Sequence, residues 1–434
     1  MKVLIWDPEG VGLPLAMRAQ DAGHHVRLWI PPQHGEVVLV GEGIVERVQN
    51  WKASMTWADL IIMTDNSKFA NEMEPFFKRG FPIVGANKQA AKLELDRGFG
   101  QNVLSDAGVK VLPFKVFSNY KQAIAYVQKE NRPFVSKPWG GNPDKSLSYV
   151  PSGVEDLIAM LEGWERQKLK GEFMLQEMAK GQEMAVGGWF GPGGWSKWIN
   201  ENWEEKRLMA GGLGPNTGEM GTVLRYVKQS NLFDDVLRPV TDTLEATGYV
   251  GYVDVNCIVD GKTPFPLEFT MRFGWPHFNL CMALHKGDPI NWMADLCAGK
   301  DTLQVEEKIC IGTVMATGDY PQCVDSFEKW AGYPIHGKFD WDDIYLTSGQ
   351  WGPGPVKIGA KVREEDTFLT AGQYVLVGTG LGDTVMEARE ACLKTCDEVK
   401  WAPHRIYRKD IGERLEKDLP ELQKNGYAEG MEYD

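Results

Sequence analysis

Apolar and polar positions alternate with a period of two along Tyr252–Val259 and again along Pro266–Phe273. Between the runs stands Asp260-Gly261, a strong short turn signal, so the pattern predicts a β-hairpin. On the first strand Tyr252, Asp254 and Asn256 share one face, and on the second Glu268, Thr270 and Arg272 share one. Val253, Val255, Leu267 and Phe269 take the opposite, core-facing side. The hairpin thus projects two acids and an arginine into a common space.

Elsewhere the same reading gives mixed α/β and α+β architecture. Residues 1–31 read as strand, glycine-rich turn, helix and strand, a βαβ opening, and Asp59–Met63 adds a buried strand. Residues 86–111 read as connecting helices, with Lys88, Lys92, Glu94 and Arg97 on an amphipathic surface. Residues 112–186 read as a compact α+β unit, and Glu172–Met178 within it as a half-buried strand. Residues 187–308 carry the hairpin, preceded by a stretch with tryptophans at 189, 195, 198 and 203 that reads as core. From 309 onward come strands, a turn at Gly380–Asp383, and a helix capped by Asp383 or Thr384. The last twenty residues are charged and read as a fraying end.

Composition narrows the function. A chain of 434 residues has room for several subdomains, and a formal charge of −13 argues against a broad nucleic-acid-binding face. MKVLIW is a strand start rather than a signal segment, and no apolar run approaches the length of a membrane span, so a cytoplasmic, non-membrane protein is expected. Seven cysteines without framework spacing read as reduced thiols, Cys392 and Cys396 as buried small hydrophobes.

Three features carry candidate chemistry. Asp254 and Glu268 on adjacent strands suit magnesium, which takes oxygen ligands, and Arg272 suits an anionic phosphate or carboxylate; the alternative is a solvated polar face. Lys137 lies in the otherwise apolar run Pro133–Pro138, where a buried ammonium calls for an anion. Gly10-Val11-Gly12 stands at a helix start where a phosphate can bind, although the three-glycine dinucleotide spacing is missing.

Two segments bear a family resemblance. Glu268-Phe269-Thr270-Met271-Arg272-Phe273-Gly274 resembles the metal strand Glu-Phe-Asn-x-Arg-Phe-Gly of ATP-grasp ligases, with Thr270 in place of the asparagine. The octet Gly214-Pro215-Asn216-Thr217-Gly218-Glu219-Met220-Gly221 differs at one position, Glu219, from the Gly-Pro-Asn-Thr-Gly-Gly-Met-Gly loop of glycinamide ribonucleotide synthetases. The likeness runs nearly the full length in collinear order. It implies an ATP-grasp fold with an N-terminal βαβ domain (1–85), a lid (112–186), a central metal-bearing domain (187–308) and a small β-rich C-terminal domain (309–434).

The resemblance also implies roles. Asp254, Glu268 and Thr270 would bind metal; Arg97 and Lys137 would meet the phosphates of ATP. The loop Trp139–Ser146 would cover those phosphates through backbone amides. Gln176, Glu177 and Met178 would contact adenine and Glu183 the ribose. Arg272, Lys206, Asn216 and Thr217 would hold the reacting groups. The implied cofactors are ATP and Mg2+, with Mn2+ as an alternative ion, and the implied partners are an amino acid such as glycine and an amine, in a monomer or homodimer. The implied reaction is amide formation through an acylphosphate, as in purine biosynthesis.

Two further readings stand beside it: a ligase repurposed for another amine, and a catalytically weak nucleotide-binding protein. The family's Gly-Gly-Arg-Glu and Gly-Pro-Glu-x-Pro-Leu segments, which serve the ribose phosphate, are absent; Pro8–Pro14 and Thr64–Phe69 stand in their places. Trp275-Pro276-His277 likewise replaces Asp-Pro-Glu, leaving His277 as a substrate contact or a structural residue. A biotin-dependent carboxylase is disfavoured, because the chain has no Ala-Met-Lys-Met segment.

Overall fold

The computed structural model describes residues 1–33, 38–140, 147–321 and 327–434. The N-terminal part holds a five-stranded parallel sheet in which Lys2–Trp6 lies between His25–Trp29 and Leu60–Met63. Strands covered on both faces read as continuous apolar runs, and Val3, Leu4, Ile5 and Trp6 are all fully buried. The helix Leu13–Asp21 follows the glycine-rich turn, as the βαβ pattern predicts.

A second sheet of three antiparallel strands places Phe173–Glu177 between Phe114–Phe117 and Phe134–Pro138. The helix Val154–Gln167 packs on it through Leu157, Leu161 and Trp164, spaced at helical intervals. Its hydrophobic cluster is separate from the main core.

The main body is an eight-stranded sheet running, in order, through Thr263–Thr270, Gly251–Asp260, Gln182–Gly191, Gly194–Met209, Leu213–Val227, Ile309–Ala316, Tyr374–Gly382 and Ile344–Leu346. The C-terminal strands therefore continue the sheet that holds the hairpin. Trp189 and Trp203 are buried on it, in keeping with the core reading of that tryptophan-rich stretch. Thr384 caps the helix Val385–Glu398 by accepting from the Glu387 amide.

Three expectations are corrected. The returning strand spans Thr263–Thr270 rather than reaching Phe273, so Arg272 lies beyond the sheet. A bulge between the Asn256 and Cys257 pairings leaves Leu267 only half-buried. The C-terminus is packed rather than frayed: Leu415, Leu419 and Leu422 are buried, and the Tyr427 hydroxyl donates to Asp235 at 2.8 Å. An apolar stripe at helical spacing outweighs the charge around it.

Candidate active site

Register decides which side chains meet. Asp254 pairs with Thr270 and Asn256 with Glu268, so all four share one face of the hairpin. Across the sheet, Asp254 and Asn200 both lie opposite Gly187, while Asn256 and Asn202 both lie opposite Ala185. Small residues on the intervening strand let the outer side chains touch over it. Asn202 Nδ2 donates to Asp254 Oδ2 at 2.8 Å, and Asn256 Nδ2 to Glu204 Oε2 at 2.9 Å. The Tyr252 hydroxyl also donates to Asp254 Oδ2, at 2.8 Å, while its ring packs on His277.

The charges interlock. Arg97, at the start of the helix Arg97–Asp106, donates to Glu268 Oε2 at 2.5 Å. Lys206 Nζ lies 3.0 Å from Glu204 Oε2. Burial opposes ionisation of Glu268, yet Arg97, Lys206 and Lys137 outweigh it and bring the acid down to about 2. Burial, then the charge of Glu204, push Asp254 up to about 7. Burial also works against Lys206, but Glu204, Glu268 and Glu183 hold it above its ordinary range; its side chain keeps 38% exposure, so solvent tempers that effect. Burial brings His277 down to about 4, so it is neutral at pH 7.

Lys137, on the lid strand Phe134–Pro138, forms no ion pair among the described residues, and burial followed by the Arg97 charge lowers it to about 7. Gln176 is buried in the middle lid strand with Nε2 unpartnered. Of the other two residues the resemblance assigns to adenine, Glu177 accepts from Arg132 at 2.7 Å through its carboxylate, and Met178 is exposed. Glu183 is the second residue of the next strand and is raised by burial, with Lys206 and Arg414 pulling the other way. The expected phosphate-covering loop falls largely on residues 141–146, outside the described residues.

The remaining candidates lie as follows. Arg272 Nε lies 3.1 Å from Glu94 Oε1 and 3.6 Å from Asp65 Oδ2. Glu94 also accepts from Asn66 Nδ2 at 2.8 Å and from the Met271 amide at 2.7 Å, which draws the chain off the strand. Asn216 is exposed near the tip of the hairpin formed by Gly194–Met209 and Leu213–Val227, opposite Arg207. The Thr217 hydroxyl donates to the Lys206 carbonyl at 2.8 Å, so this threonine positions the backbone. Between Gly221 and Asn216 the second strand bulges, and within the bulge Glu219 is buried.

The glycine-rich turn is already filled. The amides of Gly10 and Val11 donate to Asp7 Oδ1, both at 3.2 Å, and that of Gly12 to Asp7 Oδ2 at 2.8 Å. The Thr64 hydroxyl completes the set at 2.7 Å. Donors that a phosphate would use are spent on the protein's own carboxylate.

Sequence reasoning missed Glu204, Asn202, Glu94, and the tail arginines Arg408 and Arg414, which lie 3.2 and 2.9 Å from Glu205 carboxylate oxygens. A signal for the first two was available: Asn200, Asn202, Glu204 and Lys206 recur every second residue on one strand.

The donor set suits magnesium and a nucleotide. Asp254, Glu268 and Thr270 offer oxygens, and buried Asn256 adds an Oδ1 with no partner. The Lys137 ammonium, which forms no ion pair among the described residues, and Gln176 Nε2 suit a phosphate and a purine edge.

Comparison with known proteins agrees. Residues 95–278 match the family "Phosphoribosylglycinamide synthetase, ATP-grasp (A) domain". Phosphoribosylamine–glycine ligase of Halalkalibacterium halodurans is 26% identical over 356 residues, covering 80% of this chain and 79% of that protein. The crystal structure of phosphoribosylamine–glycine ligase from Thermotoga maritima superimposes with a TM-score of 0.68 at 20% identity, over 95% of this chain and all of that one. An ADP complex of N5-carboxyaminoimidazole synthetase from Staphylococcus aureus gives 0.58 at 13% identity, over 91% and 97% of the two chains. Residues 95–278 thus match an ATP-grasp domain, and the chain as a whole resembles phosphoribosylamine–glycine ligase and shares its fold.

Proposed function

We propose that this ligase uses ATP and magnesium to join the carboxylate of an amino acid such as glycine to an amine other than phosphoribosylamine. One observation carries the choice of amine: the turn that serves the ribose phosphate in the resembled family is filled by Asp7. Its carboxylate sits where anionic phosphate oxygens would have to lie, and like charges repel.

The chemistry asks for positioning and neutralisation more than for acid–base groups. A carboxylate oxygen of the amino acid attacks the γ-phosphorus, the bond to the β,γ-bridging oxygen breaks, and ADP leaves an acylphosphate. The amine then attacks the acyl carbon, phosphate departs and the amine proton passes to solvent. Asp254, Glu268 and the Asn256 amide oxygen would hold magnesium, which would supply neutralisation of phosphate charge. Lys137 and Arg97 neutralise further phosphate charge. Gln176 orients the purine and Glu183 takes the ribose hydroxyls. Arg272, fixed by Glu94 and Asp65, positions the strand end rather than clamping the substrate.

ADP release with ATP, magnesium and glycine tests this reading, first with phosphoribosylamine generated in situ and then with a panel of unphosphorylated amines. The expected result is turnover with a member of the panel and none with phosphoribosylamine. Turnover with phosphoribosylamine alone would restore the purine-biosynthetic activity, which the near-identity of Gly214–Gly221 to the family loop favours. Silence throughout would leave a nucleotide-binding protein.

A further inference from the structure

Glu219 is the single departure in the loop that otherwise matches the resembled family, where the position is glycine. Its side chain is not a solvated accident. The residue is 5% exposed, sits in a strand bulge that turns it inward, and its Oε1 has no hydrogen-bond partner. A buried carboxylate oxygen without a donor carries an energetic cost that a bound group can remove.

The surroundings say what charge that group carries. Three carboxylates, Glu219, Glu204 and Asp254, lie within electrostatic reach of one another, together with Lys206 and Arg272. Among the described residues neither cation pairs with Glu219: Lys206 lies 3.0 Å from Glu204 and Arg272 3.1 Å from Glu94. Further buried polar atoms lack partners at the same end of the sheet. Thr222 Oγ1 is on the residue paired with Glu204, and Tyr374 Oη is within reach of the Glu219 charge.

We propose that Glu219 is a specificity-determining residue that receives a cationic nitrogen of the substrate, distinct from the nitrogen that is acylated. The substrate class is therefore a carboxylate or an amine bearing an additional ammonium or guanidinium group, with Thr222 and Tyr374 supplying neutral contacts beside it. This deepens the ligase reading and rests on it for the reaction, but not for the binding event.

Calorimetric titration separates the two. The protein with Mg·ADP is titrated with lysine against norleucine, for a charge on the carboxylate donor, and with 1,4-diaminobutane against 1-aminobutane, for a charge on the acceptor. In one pair the more highly charged probe binds about tenfold tighter or better. Glu219→Gln brings that ratio to within about twofold. Glu219→Gly, the residue found at this place in the resembled loop, does the same should the glutamine variant misfold. A wild-type protein with no preference in either pair, or a preference that survives both substitutions, overturns the proposal. Mg·ADP is titrated separately: failure of the nucleotide to bind counts against the ligase reading and leaves the charge preference readable.

Discussion

The Arg97 guanidinium donates to Glu268 Oε2 at 2.5 Å, so the two charges neutralise each other in the free protein. On the proposed reading, ligand binding would exchange this pair for two new ones, arginine with phosphate and glutamate with magnesium. Glu268→Gln keeps the shape but removes the charge from both arrangements. The expected outcome is a fall in ADP release of about a hundredfold or more with an unchanged circular dichroism spectrum. Wild-type ADP release in this variant would remove Glu268 from the site.

Lys137 makes nucleotide binding depend on pH. Burial holds it near 7, whereas a bound triphosphate raises it, so the bound form carries more protons. The Lys137 contribution to Mg·ATP affinity then falls as pH rises through 7. In titrations in buffers of different ionisation enthalpy, the wild type should take up about 0.9 proton more than Lys137→Met at pH 8, and about 0.1 more at pH 6. No difference between the two proteins at pH 8 would remove Lys137 from the nucleotide site.

Glu94 is the centre of a clasp between the N-terminal part and the end of the hairpin, accepting from Asn66, Met271 and Arg272. Glu94→Ala leaves these donors, one of them charged, without an acceptor. A loss of about 2–4 kcal/mol in urea unfolding is expected. A midpoint equal to that of the wild type would show that the clasp contributes nothing.

Gly187 is the gap through which Asp254 is held. A Cβ there would stand 2.0 Å from the Tyr252 hydroxyl and 2.7 Å from Asp254 Oδ2. Gly187→Ala should therefore displace Asp254 at a stability cost of about 1–3 kcal/mol, and lower ADP release by about tenfold or more. Retained activity would show that Asp254 is not held in place by its contact with Tyr252.

The hairpin was legible in the sequence because a two-residue period and an Asp-Gly turn are local signals that nothing in the tertiary structure opposes. Its end was not, since the chain leaves the strand for the Glu94 carboxylate, a partner 177 positions away. The filled turn at Asp7 was hidden for a similar reason: Thr64, just past another strand, completes the set of donors around the Asp7 carboxylate. At the C-terminus the signal was present but misweighed, because Leu415, Leu419 and Leu422 carry the helical stripe beneath a charged surface. The octet Gly214–Gly221 was recognisable as a motif, yet a motif does not show direction. Its Asn216 faces outward, while the one residue that breaks the match faces in.

The lid has a hydrophobic core of its own. Phe117, Phe134, Leu157, Leu161, Trp164 and Phe173 pack among themselves, and residues 178–181 link that sheet onward to the strand Gln182–Gly191. A unit with its own core and a short tether loses its structure at its own temperature. The lid should thus give a calorimetric peak below that of the main body in the free protein. A nucleotide touching Lys137 and Gln176 on one side and Asp254 and Glu268 on the other ties the two peaks together, so saturation should turn two transitions into one.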